Sequence, residues 1–78
     1  EPIRAIHREP ARAWTVDELA ALAALSRSSF FARFSRTMGM PPMEYLYRWR
    51  MILAKDLLKH GQLPVAAIAD RVGYGSSS

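Results

Sequence analysis

Five arginines fall within residues 27–50, at Arg27, Arg33, Arg36, Arg48 and Arg50, against a single acid, Glu44. The remainder of the chain sets six basic residues against six acidic ones, so the whole net charge of +4 resides in this stretch. Arginine stays cationic at any physiological pH, and its planar fork matches both phosphate and the guanine edge. The chemistry on offer is therefore polyanion binding, with an ordinary solvated basic face as the alternative reading. Short side chains, Ser28, Ser29, Ala32 and Ser35, interleave with the first three arginines. A serine hydroxyl can bond a purine or a pyrimidine edge, and an alanine methyl can touch a thymine methyl. Neither choice specifies a base strongly.

Other chemistries find little support. His7 and His60 stand apart near expected helix ends, no glycine-rich phosphate loop is present, and the serines sit where helix caps are needed. An enzyme is not expected, and no cofactor is implied. The chain has no cysteine, which excludes disulfides and thiolate zinc sites. No apolar run approaches the ~20 residues that a membrane span requires. The basic residues do not lie opposite one continuous apolar face, so a membrane-surface helix is disfavoured as well. With 78 residues, one domain is the ceiling.

The elements that must carry the arginines follow from caps and periodicity. The segment EPIRAIHREP resembles the end of a helix without an evident cap, stopped by Pro10. Thr15 and Glu18 form a capping box, and Trp14 and Leu19 sit at the two positions of a hydrophobic staple. That helix should end near Ala24. Ser26 is the N-cap of the next helix, in which Phe30, Phe34, Thr37 and Met38 point inward and Gly39 closes the end. Two short helices joined by a three-residue turn make a helix-turn-helix over about residues 15–39. Pro42 opens a long helix to about residue 60, with Leu46, Trp49, Leu53 and Leu57 as its stripe and Tyr45, Ile52 and Leu58 beside it. A last helix takes Pro64 as its first residue after a poor cap at Leu63 and ends at Gly73.

A displacement of 49 residues maps the chain onto itself: Val16 meets Val65, Leu19 meets Ile68, Ala20 meets Ala69, and Ala24 meets Gly73. Ser76 then stands for Ser26, one residue late, and the sequence stops where a second helix should start. The expected architecture is all-α: two helix-turn-helix units joined by a long linker helix, the second unit, about 64–78, incomplete. A linker of 19 residues spans about 28 Å, close to the ~34 Å between successive major grooves on one face of DNA.

The pattern WTVDELAALAALSRSSFFARFSRTMGMPPMEYLYRWRMILAKDLL followed by VAAIADRVGYGS resembles the DNA-binding domain of AraC/XylS-type transcription regulators. The residues that carry it are Leu19-Ala20, Leu25-Ser26, Phe30, Phe34, Gly39, Pro42, Tyr45-Leu46, Arg50, Ala54, Leu57-Leu58, Ile68-Ala69, Gly73-Tyr74 and Ser76. The stretch FFARFSRTMGMPPMEYL is most similar to members with an N-terminal cupin-type effector domain. The resemblance implies double-stranded DNA as partner, contact with RNA polymerase, a bacterial cytoplasmic location, and truncation before the second recognition helix. Two positions depart from the family. Ala24 occupies a turn where glycine, asparagine or histidine is usual, and Ala32 stands where many relatives carry arginine.

The candidate DNA-binding residues are Arg27, Ser28, Ser29, Phe31, Ala32, Arg33, Ser35 and Arg36. Opposite the inward phenylalanines lie Ser28, Ala32, Ser35 and Arg36, with Ser29 beside them. Arg33 and Arg36 could read guanine or hold phosphate. Phe31, at the edge of the buried face, is expected to be partly buried rather than to touch thymine. Arg50, beside Trp49, is expected to brace the two units rather than contact DNA. Trp14, Trp49 and Tyr45 fall at core spacing. The rival function is a small helical protein-interaction module, whose binding would respond far less to salt.

Overall fold

In a computed structural model, which describes residues 1–61 and 63–74, every regular element is an α-helix. In order they are α1 (Pro2–Arg8), α2 (Val16–Leu22), α3 (Arg27–Met38), α4 (Pro42–His60) and α5 (Val65–Val72). The first helix corrects the expectation that it lacks a cap. The carboxylate of Glu1 accepts a hydrogen bond from the Ile3 N–H at 2.8 Å, and Pro2 occupies the first turn, where its missing N–H costs nothing.

The capping box of α2 is complete. Thr15 Oγ1 accepts from the Glu18 N–H, and Glu18 Oε1 accepts from the Thr15 N–H, each at 3.1 Å. Trp14 enters the core just before it, and its Nε1 donates to the Glu9 carbonyl at 2.9 Å, which pins the loop after α1. The helix closes at Ala23, and Ala24 then takes φ +58, the left-handed region that a Cβ disfavours. That turn is sealed by a bond from the Leu25 N–H to the Ala20 carbonyl at 3.0 Å. Ser26 caps α3 by accepting from the Ser29 N–H at 3.2 Å.

One core joins the first four helices: Ile6, Trp14, Leu19, Ala20, Phe30, Phe34 and Leu46. Phe30 and Phe34 lie 5.5 Å apart between ring centroids, and Tyr45 of α4 meets Phe34 edge-on at 5.6 Å, a favoured aromatic arrangement. Thr37 does not join them; it is exposed. His7 is not isolated either. It stacks on Trp49 at 4.2 Å and shares a 2.8 Å hydrogen bond with the Tyr45 hydroxyl, which fixes α1 against α4. Desolvation at that position raises the Tyr45 pKa above its ordinary value.

The long helix divides by burial. Near its start Leu46 and Arg50 are buried, whereas Ile52 and Leu58 are exposed. Among the described residues, α5 packs on α4 with Ile68 and Val72 buried. Pro64 is the N-cap of α5 and Val65 its first residue, so the expected start shifts by one position and Leu63 lies outside the helix. The end of α5 repeats the end of α2: the Tyr74 N–H donates to the Ala69 carbonyl at 2.7 Å, and Gly73 takes φ +99. Gly75 and Ser76, where the second copy would continue, lie outside the described residues.

Candidate nucleic-acid interface

Recognition by a helix-turn-helix requires a second helix that is firmly seated on one side and bare on the other. The seat of α3 is Phe30 and Phe34, with Met38 half-buried beside them. Arg27, Ser28, Ser29, Phe31, Ala32, Arg33 and Arg36 are all exposed. Ser35 is the exception among the candidate residues. It is half-buried, and its Oγ has no accessible surface and no hydrogen-bond partner among the described residues. The covered sector runs from the phenylalanines through Met38 to Ser35, and away from Thr37. A wheel centred on the phenylalanine pair alone misplaces its edge by one residue on each side, because the packing of neighbouring elements on α3 sets that edge.

The bare face is therefore Ser29, Ala32, Arg33 and Arg36, flanked by Arg27, Ser28 and Phe31. Arg33 and Arg36 make no hydrogen bond or ion pair with any described residue. Arg27 reaches Asp17 only at 3.9 Å, with both side chains largely exposed, a contact of little energetic weight. Arg48, by contrast, pairs with Glu44 one turn back on α4 at 2.9 Å. Of the five basic residues in the stretch, those on α3 are the ones available to an anionic partner.

Phe31 is partly covered, as its place at the edge of the buried face suggests. It is 44% exposed, against 3% for Phe30 and 6% for Phe34. It lines a shallow notch with Arg27 and Ser28, one turn nearer the N-terminus of α3.

Arg50 braces the domain, as its place beside Trp49 suggests, and it is buried, at 7% exposure. Its Nε donates to the Pro10 carbonyl at 2.8 Å and its Nη2 to the Arg12 carbonyl at 2.9 Å, so it ties α4 to the loop ahead of α2. Its guanidinium also lies 5.2 Å from the centre of the Tyr74 ring. A Cβ added at Gly73 would stand 2.8 Å from Arg50 Cζ. Sequence reading did not pair Gly73 with Arg50, since a contact across 23 positions on different helices leaves no local signal.

The model of a helix-turn-helix domain family matches residues 19–78. The chain belongs to the AraC-type helix-turn-helix family. An AraC-like transcription regulator of Streptomyces antibioticus is 56% identical over 73 residues, which is 94% of this chain and 24% of the relative. The HTH-type transcriptional regulator AlkR of Acinetobacter baylyi is 41% identical over 97% of this chain and 25% of its own length. The RCS-specific HTH-type transcriptional activator RclR of Escherichia coli is 41% identical over 88% of this chain and 24% of its own length. The AraC-type domain thus spans about a quarter of the length of these relatives. No solved structure is significantly similar to it. Membership places the domain among DNA-binding transcription regulators, not in an enzyme class. Among the described residues, no helix is long and apolar enough to cross a membrane.

Proposed function

We propose that this chain is the promoter-reading part of a bacterial transcription regulator, with α3 as the first of two readers. The observation that carries the proposal is the bare face of α3, where Arg33 and Arg36 have no described partner and stand among side chains short enough to let the helix lie deep in a major groove. Ser29 and Ala32 would approach base edges, Arg33 and Arg36 would reach guanine or phosphate, and Arg27 and Ser28 would hold the backbone near the helix start. The α5 helix would lead to a second reader one groove further along, at the span of α4. The family resemblance supports a cytoplasmic setting, an effector-binding domain elsewhere in the protein, and contact with RNA polymerase. Tyr47, Met51 and Ile52, exposed on the outer face of α4, favour a protein contact as an additional role.

Fluorescence anisotropy on random-sequence duplex DNA tests the proposal. With three or four phosphate contacts, a four-fold rise in salt should weaken binding roughly 40- to 150-fold. Arg33→Glu together with Arg36→Glu should abolish binding and leave the thermal transition in place. Salt-insensitive binding, or none at low salt, would reject DNA as the partner and leave the protein-interaction reading.

A further inference from the structure

The geometry points to a thymine-reading role for Phe31, and we propose that its ring packs on the 5-methyl group of a thymine in the major groove. This inference rests on α3 being the DNA-reading helix. Three phenylalanines lie on α3, and the core accounts for only two of them. Phe30 and Phe34 are buried, while Phe31 leaves 44% of its surface in water and takes no place in the core cluster. It lies in the N-terminal half of the helix, the part that meets base edges in a helix-turn-helix. Its neighbours along that edge are small: Ser28 one turn back and Ala32 next in sequence. The ring is thus partly exposed at the edge of the reading face, near the start of the helix.

Thymine is the one unmodified DNA base that presents an apolar group in the major groove, and phenylalanine is among the side chains suited to contact it. The rest of the notch is complementary to DNA rather than to an apolar protein surface. Arg27, four residues before Phe31, lines the same hollow, and its 3.9 Å approach to Asp17 is loose enough to yield to a phosphate. A cation beside an exposed ring, at the start of a groove-reading helix, fits a backbone phosphate next to a thymine methyl.

The test isolates that methyl group. An A·T-rich duplex is prepared with thymine or with deoxyuridine throughout, and the binding of the 78-residue chain to each is followed by anisotropy at low salt. The native chain should bind the deoxyuridine duplex about three- to five-fold more weakly, the effect of one unburied methyl group. Phe31→Ala should lose most of this difference, and Phe31→Leu should retain more of it. Because the ring is exposed, both variants should melt near the native temperature, which separates loss of the contact from loss of the fold. Equal binding of the two duplexes by the native chain overturns the inference, as does an undiminished difference in Phe31→Ala. Binding that is insensitive to the methyl group yet strongly salt-dependent rejects only the role of Phe31. Absence of binding to either duplex rejects the DNA-reading function itself.

Discussion

The end of α2 and the end of α5 make the same turn by different means. Each closes with a bond to the carbonyl five residues back, from Leu25 to Ala20 and from Tyr74 to Ala69. Each places a left-handed residue before the donor, Ala24 in one and Gly73 in the other. There the likeness stops. The α2 helix has a complete capping box, is flanked by Trp14, and rests on a core shared by four helices. The α5 helix starts after Pro64 with no side-chain cap and packs mainly on α4, and its first residue, Val65, is 70% exposed. What holds its far end is Arg50, laid against Gly73 and Tyr74. The first turn is stabilised by its own sequence, and its copy by a side chain from another helix. The difference also explains the turn residues. At position 24 a Cβ costs only backbone strain, whereas at position 73 it would also collide with a guanidinium held by two carbonyls.

The largest expected effect comes from breaking the better-held half. Phe34→Ala removes a ring at the centre of the shared core and should cost about 3–5 kcal/mol. That is comparable to the whole stability of a domain this small, so the cooperative thermal transition seen by circular dichroism should vanish. A sharp transition near the native temperature would show that the core does not depend on this ring.

Gly73→Ala attacks the copy. The left-handed backbone, less the freedom that alanine removes from the unfolded chain, costs about 0.5–1 kcal/mol, and displacing Arg50 from its carbonyls adds about 1 kcal/mol or more. Urea unfolding should report a total of about 2 kcal/mol. In an Arg50→Ala background, the same substitution should cost only the backbone part. Equal costs in both backgrounds would mean that Arg50 moves aside freely. Amide exchange should locate the damage in α5 and leave α2 protected.

Ala24→Gly sharpens the comparison from the other side by giving the first turn the residue of the second. Relief of strain, less the added freedom of the unfolded chain, should stabilise the domain by about 0.5–1 kcal/mol. A fall in the urea midpoint would show that Ala24 is not strained.

The smallest effect is a pH dependence confined to the first half. Glu18 accepts from Arg12 at 2.7 Å, and that bond, aided by those from Thr15, outweighs desolvation and lowers its pKa. A carboxyl held low in the folded state favours folding above its ordinary pKa, and the gain is lost as pH falls through the folded value. Unfolding midpoints should decline slightly in acid, and Glu18→Gln, which preserves the capping box, should reduce that decline. An unchanged profile would assign the acid sensitivity to another carboxylate.

Much of this was legible from the residues themselves, because caps, helix starts and stops, and left-handed turns are local events. Thr15 with Glu18, Ser26, Gly39, Pro42 and Gly73 act on their own neighbours within one turn of helix, so their types and spacing marked where helices begin and end. The surplus of charge on residues 27–50 and the repeat at 49 were equally open to reading. Side-chain exposure around α3 was not, since it depends on how the neighbouring helices pack against it. Ser35 was placed on the reading face by periodicity and lies with its hydroxyl buried, and how much of Phe31 stays exposed could not be read from its position. The stacking of His7 on Trp49 and the seat of Arg50 over Gly73 were likewise decided in three dimensions. Sequence determined the helices, the turns and the sign of the charge, because each of these is settled within a few bonds along the chain. Tertiary packing alone decided which side chains are free to meet DNA and how the second turn is held, because those contacts join residues up to forty positions apart.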